Sequence, residues 1–442
     1  MRRSIVSLIT VIVLFSASIA FGNGLSLNSI GPKSLGMGGA YVGLANDYSA
    51  IYWNPAGITQ LKGAQLALFV TDVIPTGTYK LSAYGIDAQT LSNHYISPNI
   101  MGYLPLFGGE KLTVGLGAYV PAGLGAEWDG MDLVAFSGPA QFGGATNAFA
   151  GKSFEWMSKI GVFNISPAVA YRLNDKISVG ATLNIYYGMM DMKRPVNAVN
   201  NFAPTNPAAP SDGGLVDNQY EESGSGLGFG ATFGLLVKPV DMLAVGISFR
   251  TKNTVSFEGT AKNTAFQAFN AYESDYERDL AWPMWIGGGI ALKPIEKLTL
   301  AADVQFSQWS DTQDKIVTEY KNAVWAAAMD EAARTMELNW EDKMQIRFGA
   351  QYQLTDALAL RAGYYNDPAP APDETANIIF PSISYNALAI GASYCFGKIN
   401  LDFGFEYLMG KDRDIAASDK GNNPGIQGMD IIAPSLGISY SF

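Results

Sequence analysis

The chain has 442 residues with 40 acidic against 29 basic side chains, yet only 16% of it is charged and 48% is hydrophobic. The acidic balance argues against nucleic acid and against passive docking on anionic lipid. One cysteine, Cys395, and one histidine, His94, leave no internal disulfide and no Cys/His cluster for zinc.

Arg2 and Arg3 precede an apolar run over residues 5–15, and the small residues Ser18 and Ala20 stand at a cleavage site. Residues 1–20 therefore read as a secretory signal peptide, too short in its apolar core to span a membrane. Cleavage is expected after Ala20 or two residues later. No Cys follows to carry a lipid anchor, and loss of the two arginines leaves 27 basic residues, a net charge of −13. Beyond the signal there is no run of about 20 apolar residues, so no helix is expected to cross a membrane.

Residues 31–57, GPKSLGMGGAYVGLANDYSAIYWNPAG, form a Gly-rich run with an Asn-Pro step. Such a run reads as compact and irregular, with glycines that allow close backbone approach. Ile51, Tyr52 and Trp53 argue that it is packed, because an exposed apolar cluster is costly.

From Ala64 onward the chain reads as about ten-residue segments with a period of two, the mark of strands with two unlike faces. The last strand sets Leu436, Ile438, Tyr440 and Phe442 against Ser435, Gly437, Ser439 and Ser441. Fourteen strands are predicted at 64–74, 96–105, 112–121, 163–173, 177–187, 227–237, 243–252, 282–292, 298–309, 343–354, 358–366, 386–396, 399–409 and 434–442. Tight turns near 107–111, 174–176, 239–242, 294–297, 355–357 and 397–398 alternate with long connections. This is how outer-membrane barrels are built, with even strand numbers, short periplasmic turns and long outer loops. Closure is required because hydrocarbon tolerates no unpaired strand edge. A soluble all-β sandwich is the alternative that this alternation argues against. Tyr171, Tyr187, Tyr352, Tyr364 and Tyr407 lie near strand ends and suit interfacial girdles.

Eight strands leave a lumen filled by side chains, and about 16–18 leave a water channel. Fourteen fall between, so the lumen needs a plug, and residues 21–62 are the segment available for it. In the third strand, Gly115 and Gly117 suggest a kink or bulge. The following loop carries Trp128, Leu133, Phe136, Phe142, Phe154 and Trp156. Such apolar content suggests an exposed groove that collects hydrophobic molecules, or else a loop folded on itself as a cap. Residues 320–339 are Ala-rich and predicted helical. Charges expected on the inner face are Arg250, Asp303, Arg347, Arg361, Asp402 and Glu406. They form a lumenal salt-bridge network that braces the wall and the plug, or Arg347 or Arg361 meets a carboxylate head group through its bidentate fork.

The stretch Leu35-Gly36-Met37-Gly38-Gly39-Ala40, with Asn46-Asp47, Ser49-Ala50 and Trp53-Asn54-Pro55-Ala56-Gly57, resembles the N-terminal hatch of the FadL/TodX family of outer-membrane transporters. The terminal Ile438-x-Tyr440-x-Phe442 resembles the signal read by the barrel assembly machinery. The resemblance implies an all-β, 14-stranded antiparallel up-and-down transmembrane barrel (63–442) with its lumen plugged by the hatch. It also implies uptake of long-chain fatty acids or aromatic hydrocarbons, with fatty acids favoured. Ligand would pass from a loop groove to a lumenal pocket and, after a hatch shift, leave sideways where the third strand kinks. Asn54, Pro55 and Ala56 would lie against that kink. A monomer set in outer-membrane lipid, without cofactor or metal, is expected.

Enzyme activity is not expected: His94 is a lone loop residue, Cys395 has no base beside it, and Asp412 and Asp414 are flanked by Lys411 and Arg413. A diffusion porin or a structural barrel remains the rival, and the ligand is not fixed by the sequence.

Overall fold

A computed structural model describes residues 24–107, 111–133, 154–195, 219–312, 314–331 and 333–442. The expected signal peptide lies outside them. Among the described residues fourteen strands make the wall: β1 (Gln65–Leu81), β2 (Tyr95–Leu106), β3 (Leu112–Trp128), β4 (Trp156–Asn174), β5 (Ile177–Pro195), β6 (Gln219–Val240) and β7 (Leu243–Arg250, continued as Asn253–Asn263). They continue with β8 (Glu273–Trp282 and Trp285–Ile295), β9 (Leu298–Ser307), β10 (Lys343–Gln353), β11 (Leu358–Asp367), β12 (Tyr385–Phe396), β13 (Ile399–Gly410) and β14 (Gly425–Ser441). Sequential strands pair antiparallel, and β14 returns to β1 in register from Gln65↔Ser441 to Lys80↔Ile426. The ring is closed, as predicted.

The two faces identify the solvent. On β14, Leu436 and Ile438 point outward and are 60% and 45% exposed, whereas Ser435 and Ser439 point inward at 1% and 9%. Apolar outside and polar inside is the reverse of a sheet in water, and it fits a wall surrounded by hydrocarbon. The soluble sandwich is thereby set aside.

Several strands run farther outward than the sequence reading allowed. The connection at 253–281 is a continuation of β7 and β8 into a hairpin, and 122–128 pairs with 156–162 as β3 and β4. In the β7–β8 extension the pattern inverts. Glu258, Asp275 and Glu277 are exposed on the outer face, while Val255, Phe257 and Tyr276 are buried within. That is the pattern of a sheet leaving the membrane for water, and a search for apolar outer faces passes over it.

Inside the ring run residues 24–60, nearly all buried. They include the short helices α1 (Pro32–Gly36) and α2 (Ala50–Trp53) and a 3-10 turn at Pro55–Gln60. The α1 helix touches β11–β14, and the 3-10 turn touches β3–β6, so the segment reaches opposite sides of the wall. Above it, the outer loops close over an apolar cluster that includes Trp128, Leu133, Trp309, Trp325, Trp340 and Ile378.

The helix predicted over 320–339 is much shorter. Only α3 (Ala323–Ala328) forms, capped by the Asn322 side chain accepting from Val324 N–H, and Thr335–Glu337 pairs with Lys315–Val317 instead. Trp325 fixes the turn by stacking on Phe266 and donating its indole N–H to the Ala271 carbonyl. Tertiary burial of one indole outweighs the helix propensity of the alanines.

The inverted patterning makes a direct prediction. Ile390→Arg, at the middle of the outward face of β12 where Ile390 is 56% exposed, should destabilise the folded protein by about 2–4 kcal/mol in denaturant titrations from lipid vesicles.

Candidate functional site

The inner segment is held by two kinds of contact. The first is close backbone packing. Asn54 donates Nδ2 to the Val42 carbonyl (2.9 Å) and to the Leu235 carbonyl on β6 (3.0 Å), and its Oδ1 accepts from Ala56 N–H (3.2 Å). Wall glycines make this approach possible. A Cβ at Gly180 of β5 would lie 2.5 Å from the Pro55 carbonyl carbon, and one at Gly234 of β6 would lie 2.9 Å from the Ala56 nitrogen. Asn54, Pro55 and Ala56 thus seat on the wall at β5–β7. This corrects the expectation that they lie against a kinked third strand.

Gly115 and Gly117 are corrected with them. Both keep regular pairing on β3, and a Cβ at either would come within 3.2–3.3 Å of Ile51. They accommodate a side chain of the inner segment and do not kink the strand.

The second kind of contact is polar. Arg250 on β7 donates Nη2 to the Tyr52 carbonyl (2.8 Å), and Asp303 on β9 accepts from Val42 N–H (2.6 Å). On β13, Asp402 accepts from the Tyr48 hydroxyl (3.2 Å) and Glu406 from Ser29 (3.1 Å). Arg347 on β10 donates Nη1 to the Gly38 carbonyl (3.2 Å) and Nη2 to Gln345 (2.8 Å), with its guanidinium between the Trp53 and Tyr365 rings. Arg361 on β11 donates Nε to Gln351 (2.8 Å). These contacts brace the wall and the inner segment through hydrogen bonds; among the described residues none of the six charges forms the salt bridge expected of it. Arg347 and Arg361 lie outside the lining of the cavity described next.

The irregularity in the third strand lies at Val120–Pro121. β2 pairs with β3 only between Ile100↔Ala118 and Leu106↔Leu112, and β3 shifts register against β4 between Tyr119 and Ala122. Pro121 has no N–H to offer a neighbour. The exposed ladder groups find partners from within the chain. Asn99 Oδ1 accepts from Val120 N–H (3.0 Å), Leu27 N–H donates to the Pro121 carbonyl (3.0 Å), and Gly123 N–H donates to the Leu25 carbonyl (3.0 Å). Ser26 stands opposite Ala122. Farther out, Leu91 N–H donates to the Glu127 carbonyl (2.7 Å). The gap is therefore a window in the wall, bounded above and below, and the Tyr95 ring lies across it against Gly125.

A cavity of about 490 Å³ reaches this window. Residues 95–98 line one edge and Val120 with residues 122–125 the other, and its inner end passes Leu27 and Ser29 to Tyr385, Glu406 and Met429. The resemblance implied a gap at a kink in the third strand; the irregularity lies at Val120–Pro121 and not at Gly115 and Gly117, and neither Tyr95 nor residues 25–27 was singled out. Pro121 inside an alternating strand was the one local signal for it.

The residues expected to form an exposed groove are placed differently. Trp128 and Leu133 are 4% and 1% exposed, Phe154 is buried, and Trp156 packs against the same outer cluster. Trp128 donates its indole N–H to the Ile378 carbonyl (2.9 Å). They form the underside of a cap, because the β3–β4 hairpin turns its inner face toward the loop after β11. Phe136 and Phe142 lie outside the described residues. His94 is exposed, 2.6 Å from an Asp72 carboxylate oxygen at the cavity mouth. Among the described residues no cluster of His, Cys, Asp or Glu is arranged to hold a metal ion.

Residues 13–433 match the family described as "Outer membrane protein transport protein (OMPP1/FadL/TodX)". The chain is 22% identical to Outer membrane protein P1 of Haemophilus influenzae over 93% of this chain and 91% of that protein. It is 24% identical to the Long-chain fatty acid transport protein of Salmonella typhi over 92% of each. Similar solved structures include a Pseudomonas aeruginosa FadL homologue (16% identity, 95% of this chain and 100% of that chain, TM-score 0.73). The Pseudomonas putida toluene transporter TodX is similar too (17% identity, 96% and 100%, TM-score 0.70).

The glycine seat carries a prediction. Gly234→Val places its side chain in the space of Asn54 and Ala56, so the inner segment should be displaced and single-channel conductance in planar bilayers should rise severalfold above that of the unaltered protein. Unchanged conductance would contradict the seat.

Proposed function

This chain belongs to the OMPP1/FadL/TodX family of outer-membrane transport proteins, and from that membership we propose that it carries long-chain fatty acids inward through a gated, lateral route. The family fixes the coarse activity, transport of hydrophobic compounds in the bacterial outer membrane. The lateral route rests mainly on one observation, the cavity that ends on both edges of the window between β2 and β3.

The physical logic favours such a route. An apolar molecule gains by passing from a lined cavity into the bilayer and loses by crossing water. Residues 21–62 act as the hatch in this reading. Residues 24–60 of it fill the lumen at rest, and residues 25–27 hold the inner edge of the window through the Pro121 and Gly123 hydrogen bonds. Withdrawal of that strip and rotation of Tyr95 free the passage. Ligand enters from the outer side beneath the cap, and the Phe442 end of β14 serves as the assembly signal of a monomeric barrel.

Aromatic hydrocarbons are the second reading. It is supported by similar solved structures of a monoaromatic hydrocarbon channel and a toluene transporter. An accessory barrel without transport is the third.

Uptake separates them. Cells lacking their own transporter and expressing this chain should accumulate labelled oleate, and Asn54→Ala with Pro55→Ala should reduce that uptake severalfold. Uptake of labelled toluene alone moves the protein to the aromatic reading. Failure of both, with the barrel folded in the membrane, overturns transport.

A further inference from the structure

Arg250 carries a buried charge that no described carboxylate neutralises. It is 7% exposed, donates Nε to Thr232 (3.3 Å) and Nη2 to the Tyr52 carbonyl (2.8 Å), and faces the rings of Tyr52 and Trp285 at 4.2 and 4.9 Å. All of these partners are neutral. Among the described residues no carboxylate forms an ion pair with it. Neutral partners and ring faces offset only part of the cost of taking a cation out of water, and a matching anion offsets far more.

Beside Arg250 lies a small void of about 20 Å³, enough for one or two water-sized groups. Two further polar atoms on its walls are buried and lack partners, the Trp282 indole N–H and Asn253 Oδ1. An indole N–H only donates, and an asparagine amide turned by half a rotation donates as well. The void also adjoins the larger cavity. Ser26, Ala122 and Val162 line both, and beyond them the larger space continues past Leu27, Leu124 and Ile160.

We propose that Arg250, with Trp282 and Asn253, forms an anion subsite that takes the carboxylate of an amphiphilic ligand whose chain lies in the larger cavity. The proposal rests on the transport reading above and narrows its cargo to acids. The guanidinium and the indole supply converging donors, and charge-assisted hydrogen bonds to a carboxylate are about twice as strong as neutral ones. The boundary between the two spaces at Ala122 and Val162 is apolar and suits a methylene chain. A ligand so placed points its tail toward the window. The same guanidinium holds the Tyr52 carbonyl two residues before Asn54, so a carboxylate that draws it away loosens the grip on the hatch.

The test is equilibrium binding of oleate and of methyl oleate to the purified barrel in non-ionic detergent above neutral pH. The unaltered protein should prefer the acid by about tenfold or more. Arg250→Gln should bring oleate to the affinity of its ester, and Trp282→Phe, which keeps the ring and removes only one donor, should cut the preference severalfold. Should Arg250→Gln fail to fold, Trp282→Phe still decides. Equal binding of acid and ester by the unaltered protein, or an undiminished preference in a folded variant, overturns this subsite alone. Binding of neither compound overturns the transport reading with it.

Discussion

A backbone in hydrocarbon must satisfy its own hydrogen bonds, and the rest of this structure follows from that requirement. It closes the ring at β1 and β14 and turns the apolar face outward. In the third strand the ring does not satisfy itself. Around Val120 and Pro121 the ladder between β2 and β3 stops, and the groups left over are taken by Asn99 and by residues 25–27. The inner segment is thus a partner of the wall as well as a filling for the lumen. Its position and the integrity of the window are one equilibrium.

The same segment is fastened by many modest terms. A neutral hydrogen bond contributes about 0.5–1.5 kcal/mol net and one to a charged group about 1.5–3 kcal/mol, and the wall makes several such bonds to the segment from β6, β7, β9 and β10. Glycines on β5 and β6 let backbone meet backbone without a side chain between them. Arg250, Asp303, Arg347, Asp402 and Glu406 serve this grip through hydrogen bonds to neutral groups, which leaves Arg250 answerable to an incoming anion. A segment held in this way sits firmly yet can be released piecewise.

The wall was legible in the sequence because each membrane stretch alternates two unlike faces, and all fourteen strands fall where that alternation puts them. The outer extensions were not, since Glu258 and Glu277 replace the apolar outer face once the strands leave the membrane. The 320–339 stretch misled for a different reason: its alanines favour helix, but the burial of Trp325 decides the local path. Site geometry was least legible. Gly115 and Gly117 look like a kink in isolation, and only the position of Ile51 shows that they make room. The cap joins Trp128 to Ile378 across 250 residues, and the window joins Leu27 to Pro121, so no local pattern could have paired them.

The claim that the inner segment and the window move together is tested most directly by a reversible lock. With Cys395→Ser removing the native thiol, Ser26→Cys and Ala122→Cys would place two thiols at an antiparallel bridge whose spacing suits a disulfide. Oxidised cells should take up labelled oleate at background levels, and reduction should restore uptake. Equal uptake by the oxidised and reduced forms, with the crosslink verified, would contradict the account.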